Sequence, residues 1–455
     1  MTGRRTYGAH GRALLALGLP LVGSNLAQMA LHVTDTVMLG WYGVTELAAV
    51  VLGASTFFIL FILGAGFAQA VMPMVAAALG RGDETQVRRD TRMGLWLSAL
   101  FGIAVLPVMW WSGPILLALG QDDTVAALAQ DYLRIAGLGM IPALLVAALR
   151  SFLSALERAG IVLWATVAGV VLNAVLNWML IFGNWGAPEL GIRGAAIASV
   201  GTQALTLVVM GVYAAAHPAA RRFHLFQRFW RPDWPAFVQV YRLGWPIGLT
   251  GLFEGGLFVA ASLMMGWIGT MELAAHGIAQ EIAAVTFMVH LGLSNAATVR
   301  AGRALGRDDG PGLRDGALAA IAMSLVFAAL VVVLFLALPG PLIRAFLDPS
   351  EPQAGAIVAY ATALLAVAAL FQLADAAQVM ALGLLRGVQD TRVPMLIASV
   401  SYWLIGIPAS YALAFPLGLG GVGLWLGLVV GLAVAAALLM ARFWRRWGGR
   451  SEGAA

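Results

Sequence analysis

The sequence contains itself twice, and few folds accept that. Shifted by 226 residues (243 − 17), Leu17-Gly18-Leu19-Pro20 falls on Leu243-Gly244-Trp245-Pro246, and Met38-Leu39-Gly40-Trp41 on Met264-Met265-Gly266-Trp267. In the same register Glu46-Leu47-Ala48-Ala49 falls on Glu272-Leu273-Ala274-Ala275, and Ala78-Leu79-Gly80-Arg81 on Ala304-Leu305-Gly306-Arg307. Residues 17–83 and 243–309 pair without a gap, and 22 of the 67 positions are identical. The repeat continues more faintly, as in Gly191-Ile192-Arg193-Gly194-Ala195 against Gly418-Leu419-Gly420-Gly421-Val422. Such a chain is expected to fold as two like halves.

What the halves are made of follows from charge. Only 11% of residues are charged and 61% are hydrophobic, whereas a soluble domain carries about 25% charged residues. Apolar stretches recur that are long enough to cross a hydrocarbon core of about 30 Å. The expected class is therefore an all-α polytopic membrane protein, and a duplicated one points to a transporter with a path between its halves. The absence of cysteine excludes disulfides, thiolate metal sites and cysteine nucleophiles. The absence of lysine excludes a phosphate-binding Gly-x-x-x-x-Gly-Lys loop and with it ATP hydrolysis of that kind. His276 and His290 show no metal-ligand spacing. Arg4 and Arg5 ahead of an apolar run resemble a signal peptide. That run, however, holds Pro20, Asn25, Gln28 and Asp35 and has an internal copy at 238–262, so it reads as the first membrane helix.

The net charge of +5 is a topology signal and no nucleic-acid footprint. All 27 basic residues are arginine. They gather at Arg4, Arg5 and Arg12; at Arg81, Arg88, Arg89 and Arg92; at Arg150 and Arg158; and at Arg221, Arg222, Arg228, Arg231 and Arg242. The series continues with Arg300, Arg303, Arg307 and Arg314; Arg386 and Arg392; and Arg442, Arg445, Arg446 and Arg450. The intervening connections hold only Arg134, Arg193 and Arg344. The positive-inside rule makes the rich side cytoplasmic, with both termini on it. Hydropathy and charge together predict twelve helices, at 12–36, 47–78, 93–116, 129–153, 160–183 and 191–216, then at 236–264, 274–303, 315–337, 355–385, 393–415 and 418–441. The polar stretch 214–241, with Pro218, Pro232 and Pro235, reads as a cytoplasmic linker between bundles at 1–213 and 242–455. Six spans per half relate the halves by an axis along the membrane normal. Trp41, Trp110, Trp111, Trp178, Trp267 and Trp444 fall near helix ends, as interfacial anchors do.

Four carboxylates fall inside the spans: Asp35, Glu254, Glu281 and Asp375. Placing an ionised side chain at mid-bilayer costs about 2.5–3.5 kcal/mol, and no arginine is expected at similar depth. Such acids call for a proton or a monovalent cation; the structural alternative is that Asp35 and Glu281 reach water at helix ends, or that Glu281 is protonated and packed. In the repeat Asp35 aligns with Ala261, Glu254 with Gln28, and Asp375 falls near Ala147, so the acids are additions to the scaffold. Asn173 and Asn177 share a face one turn apart. Their amide oxygens can join Asp35 and Thr202 around a cation, or they form an ordinary interhelical hydrogen-bond pair. Gln280 is equally ambiguous. Pro20 and Pro246 are expected to kink the leading helix of each half, for gating or as static packing. Phe253, Phe287, Met288 and Phe371 either line a compliant apolar cavity or belong to the core.

Taken together these residues resemble the multidrug and toxic compound extrusion (MATE) transporters, in their NorM-like branch, over roughly residues 12–440. The markers are Pro20 with Asp35-Thr36-Val37-Met38-Leu39-Gly40, the run Asn173 to Gly183, Glu254, and Leu385-Arg386-Gly387-Val388-Gln389-Asp390-Thr391. The resemblance implies two six-helix bundles forming a V around a central cavity. It implies outward export of small cationic amphipathic substrates in exchange for sodium ions or protons, with no cofactor. Functional acids of the first, seventh and tenth spans map onto Asp35, Glu254 and Asp375, and an asparagine pair onto Asn173 and Asn177. A substrate cavity is expected at Glu281, Gln280, Phe253, Phe287, Met288 and Phe371, and a cation at Glu254 and Asp375 or at Asp35, Asn173 and Asn177. Departures are Gly277 after His276, His290 in place of a proline, Glu281 for a neutral amide, and Phe371 for a tyrosine. A monomer in a bacterial inner membrane is expected. The alternatives are a lipid-linked oligosaccharide flippase of the same superfamily, which would want a basic cavity, and an intramembrane aspartyl enzyme using Asp35 and Asp375.

Overall fold

The computed structural model describes residues 7–347 and 352–448; Arg4, Arg5 and Arg450 of the terminal clusters lie outside them. Among the described residues twelve helices are long and apolar enough to cross a membrane, as hydropathy predicts. The first half holds α1 (Tyr7–Tyr42), α2 (Val44–Arg81), α3 (Glu84–Trp110), α4 (Asp123–Ala155), α5 (Ala159–Phe182) and α6 (Ile192–Ala216). The second holds α7 (Trp234–Ile268), α8 (Thr270–Gly306), α9 (Gly310–Ala337), α10 (Ala354–Gly387), α11 (Arg392–Ala414) and α12 (Gly420–Trp447). No strand occurs among the described residues. The 38 residues of α2 rise about 57 Å at 1.5 Å each, so the longest helices outrun the hydrocarbon core.

The duplication extends to the helix starts. Asp83 and Asp309 occupy equivalent positions and cap α3 and α9, accepting from the backbone N–H of Gln86 at 2.9 Å and of Gly312 at 2.8 Å. Each capping oxygen satisfies one of the orphan donors of a helix N-terminus. The residues before them, Gly82 and Asp308, both turn the chain through the left-handed region, at φ 74° and 53°.

Packing groups the chain into two compact units. One contains Gly23–Leu249; the other contains the described residues up to Val22 together with those from Thr250 onward. The divisions thus fall inside α1 and α7, next to Pro20 and Pro246, and outside the polar stretch 214–241. Glycine explains how each leading segment is held. In the second unit Val22 crosses α8 at Gly292, where a Cβ would lie 2.7 Å from the Val22 nitrogen. In the first unit the equivalent Gly66 of α2 faces the backbone of Gly244 and Gly248 of α7. Without side chains at these points the backbones approach closely, as in membrane helix pairs generally. Gly292→Val is therefore expected to destabilise the protein by about 1–3 kcal/mol, the usual cost of overpacking. Thermal unfolding in detergent checks this, and an unchanged midpoint would contradict the close crossing.

Within the first unit α4 packs against α2, α3 and α6, and α5 against α6; within the second, α10 packs against α8, α9 and α12, and α11 against α12. The helix α11 is irregular. Over Val400–Gly406 it widens, and the N–H of Ile407 bonds to the Tyr402 carbonyl five residues back. Such widened turns are frequent at functional sites. Here the widened turn holds Tyr402, which is fully buried.

Candidate functional site

Two polar clusters lie within the spans, one in each unit. In the first unit Asp35 of α1 accepts a hydrogen bond from Asn177 Nδ2 of α5 at 2.5 Å and another from Ser199 Oγ of α6 at 3.0 Å. Asn177 Nδ2 also donates to Asn173 Oδ1 at 3.2 Å, and both asparagines are fully buried. The fold brings together the three residues that the sequence groups, but in a different orientation. Asn177 turns its amide nitrogen to Asp35, so it acts toward the carboxylate as a donor and no fellow oxygen ligand. Each carboxylate oxygen thus has one donor. Thr202 spends its hydroxyl proton on the Ala198 carbonyl at 2.8 Å. Ser199 joins the cluster without a sequence signal of its own, beyond lying three residues before Thr202 on one helix face.

The second cluster is built on α10. Gln372, Asp375 and Gln378 follow at three-residue spacing, and Arg386 lies three turns beyond Asp375 on the same face. Asp375 is 1% exposed, and neither of its oxygens has a hydrogen-bond partner among the described residues. Glu254 of α7 lies within electrostatic reach of Asp375, with the Gln378 side chain beside it. Gln378 Nε2 also donates to the Tyr402 hydroxyl at 2.5 Å. Oε1 of Glu254, Oε1 of Gln378 and both polar atoms of Gln372 are likewise buried and unpartnered. Buried polar groups are nearly always hydrogen-bonded, so a concentration of unpaired acceptors calls for an explanation.

No arginine is expected at a depth similar to that of the acids, yet one lies within electrostatic reach of Glu254. Arg386 is electrostatically coupled to Glu254 and Tyr402, and Arg150 of α4 sits beside α1. Arg150 Nη1 donates to Gln28 Oε1 at 2.9 Å, and Nη2 donates to Asn25 Oδ1. The intramembrane charges are thus not all acidic. Each of these arginines closes a long helix whose end reads, in sequence, as part of a basic connection.

In the gap-free register Gln28 of the first unit aligns with Glu254 of the second. The ends of α4 and α10 correspond at a larger offset: Glu157 and Gln389, 232 residues apart (389 − 157), both take φ 60°, and the N–H groups of Arg158 and Asp390 bond to the Leu153 and Leu385 carbonyls. That offset sets Leu382 against Arg150 and Ala143 against Asp375, so each charged group stands in one half only.

The remaining candidates are more dispersed. Phe371 is buried, with its ring edge-on to Phe258 at 5.9 Å and to Trp425 at 5.5 Å, so it is part of an aromatic core. Trp425 Nε1 donates to His276 Nδ1 at 3.0 Å, which leaves the ring proton on Nε2 to reach Ser262 Oγ at 3.1 Å; Ser262 in turn donates to Gln280 Oε1 at 3.3 Å. Gln280 thus ends a relay of neutral groups. The Phe253 carbonyl accepts from the Trp403 indole at 3.2 Å. Glu281, Phe287 and Met288 are half-buried on α8, and Glu281 has no hydrogen bond or ion pair among the described residues. No group of three or more histidine, aspartate or glutamate side chains able to hold a metal ion is found among the described residues.

The MatE family model matches this chain at residues 20–179 and again at 246–412. The two matches begin 226 residues apart (246 − 20), at the two equivalent prolines. A protein of Rhizobium meliloti (strain 1021) named "Probable multidrug resistance protein NorM" is 50% identical over 440 residues, covering 97% of this chain and 94% of its own. A protein of the same name from Agrobacterium fabrum (strain C58) is 45% identical over 442 residues, covering 97% and 95%. Among solved structures, an outward-facing multidrug resistance MATE family transporter of the MOP superfamily superposes with a TM-score of 0.86 at 20% identity, covering 98% of this chain and 97% of its own. A eukaryotic MATE transporter gives 0.82 at 21% identity, with 96% of each chain covered. With its two halves each matched by the family model and relatives this similar along nearly its whole length, the protein belongs to the MatE family, the multidrug and toxic compound extrusion transporters, in their NorM-like branch.

Proposed function

We propose that the protein is a secondary multidrug exporter that moves organic cations outward in exchange for inward sodium ions or protons. The observation that carries this reading is the polarity of the second cluster. Both oxygens of Asp375 and Oε1 of Glu254 are buried with no hydrogen-bond donor among the described residues. A charge buried without a partner is costly, so the pair favours a proton, a sodium ion or a lipophilic cationic substrate. One cluster cannot hold all of these at once. Occupation by the coupling ion from outside then expels the substrate, and alternating access carries the exchange across the membrane. Arg386 lies within electrostatic reach of Glu254 and tempers the negative charge there, while Asp375 has no cation of its own among the described residues. The names of the relatives support multidrug substrates. The arginine-rich connections support a cytoplasmic placement of both termini in a bacterial inner membrane.

Ethidium efflux from proteoliposomes tests this directly. An inward sodium gradient alone and an inward proton gradient alone are imposed in turn, with Asp375→Asn as control. Efflux driven by one gradient and lost in the variant is the expected result, and it names the coupling ion. No efflux under either gradient would overturn cation antiport and favour a lipid-linked substrate.

A further inference from the structure

The chain between α6 and α7 carries groups that transport leaves unused. Arg88 and Arg92, one turn apart on α3, share a cavity of about 400 Å³ with Gln227, Arg228 and Arg231 of this segment, all within the first unit. We propose that this cavity binds the phosphate group of an anionic phospholipid.

The charge of the cavity calls for an anion. Four guanidinium groups surround it, and Arg88 and Arg92 repel each other at their i, i+4 spacing. None of the four takes part in any ion pair between described residues. Asp233, whose carboxylate is also felt by Arg92, is already engaged: Arg89 Nη2 donates to its Oδ1 at 3.0 Å, and Arg89 Nε donates to Oδ2. Arg92 Nη1 donates to the Arg228 carbonyl at 3.2 Å, while its Nε is buried without a partner. Planar guanidinium forks match phosphate oxygens bidentately, so one phosphate relieves the repulsion and occupies the free donors.

The walls are also fixed in place. Phe223 and Leu225 are buried, and the Phe223 ring meets Phe152 edge-on at 6.0 Å. Trp96 Nε1 of α3 donates to the Phe229 carbonyl at 3.0 Å. Between these anchors Arg228 adopts φ 54°, an uncommon backbone for a residue with a long side chain, and its carbonyl accepts from the Arg231 N–H at 3.1 Å. Strain of this kind persists where the surroundings demand it.

The aromatic flank decides between a lipid and a soluble phosphate. Trp230 and Trp234 are 72% and 62% exposed beside the arginines, and α7 enters its span at Trp234. Exposed tryptophan at a span entry marks the headgroup level, and basic pockets at that level suit anionic headgroups.

Native mass spectrometry of the purified full chain tests the site. It would compare retention of phosphatidylglycerol and phosphatidylcholine by the wild type, by Arg228→Gln/Arg231→Gln, and by the further variant that adds Arg88→Gln/Arg92→Gln. The wild type is expected to retain one phosphatidylglycerol in preference to phosphatidylcholine. The exposed double variant is expected to hold it about tenfold or more weakly, with unchanged melting, and the fourfold variant not at all. Inorganic phosphate at millimolar concentration should leave the lipid in place. Undiminished retention by the folded double variant would overturn the site. Displacement by inorganic phosphate would overturn the lipid and make the ligand a soluble anion.

Discussion

Glu254→Gln combined with Asp375→Asn is expected to abolish gradient-driven export while leaving the protein as stable as the wild type or more so. The cause lies in the unpaired oxygens. Neither oxygen of Asp375 nor Oε1 of Glu254 has a hydrogen-bond partner among the described residues. Relieving two buried charges of like sign removes a repulsion. The bound cation, by contrast, loses two charge-assisted interactions. At about 1.5 kcal/mol each these amount to roughly a hundredfold in affinity. A pair of acids kept for structure would show the reverse pattern, with the melting temperature falling and transport surviving. Efflux and melting measured on one preparation separate the two cases.

Arg150→Ala is expected to act on stability first. Arg150 donates to Gln28 and Asn25 and ties α4 to α1. Hydrogen bonds to a charged group contribute about 1.5–3 kcal/mol each, so losing both costs about 3–6 kcal/mol. Arg150→Lys should recover part of this, because an ammonium can reach either amide but lacks the fork that reaches both. The midpoint of thermal unfolding in detergent distinguishes the three proteins. Equal midpoints for wild type and Arg150→Ala would show that the guanidinium is not the clasp the fold implies.

Sequence is most informative here where one dimension suffices. Span number and order depend on apolar length, and a run of twenty apolar residues carries that information whatever it packs against. The duplication is legible in the same way, down to the pairing of Asp83 with Asp309. Four acids inside spans stand out because the hydrocarbon core penalises them wherever they point. What needs three dimensions is less legible. Arg386 reads as a loop arginine because hydropathy windows end before it, yet α10 continues to Gly387 and carries it on the Asp375 face. Tyr402 gives no signal, since nothing in Val400–Gly406 marks a turn that widens. Asn177 joins Asp35 as its position predicts, but its amide has two chemically different ends, and the helix period cannot say which one faces the acid. Pro20 and Pro246 stand out in sequence, and both lie inside helices that continue through them. The close approach that holds each leading segment involves glycine as well, and that becomes visible only with the partner helix in place. Phe371 has the composition of a cavity wall and the surroundings of a core.

The proposed function makes Asp375 and Glu254 an acidic place for an exchangeable cation. Equilibrium binding of ethidium to the purified protein, followed while sodium concentration and pH are varied separately, tests that claim most directly. One of the two cations is expected to compete, weakening ethidium binding as sodium rises or as pH falls, and Glu254→Gln/Asp375→Asn is expected to lose the dependence. Ethidium affinity indifferent to both cations in the wild type would contradict an exchangeable cation at Glu254 and Asp375.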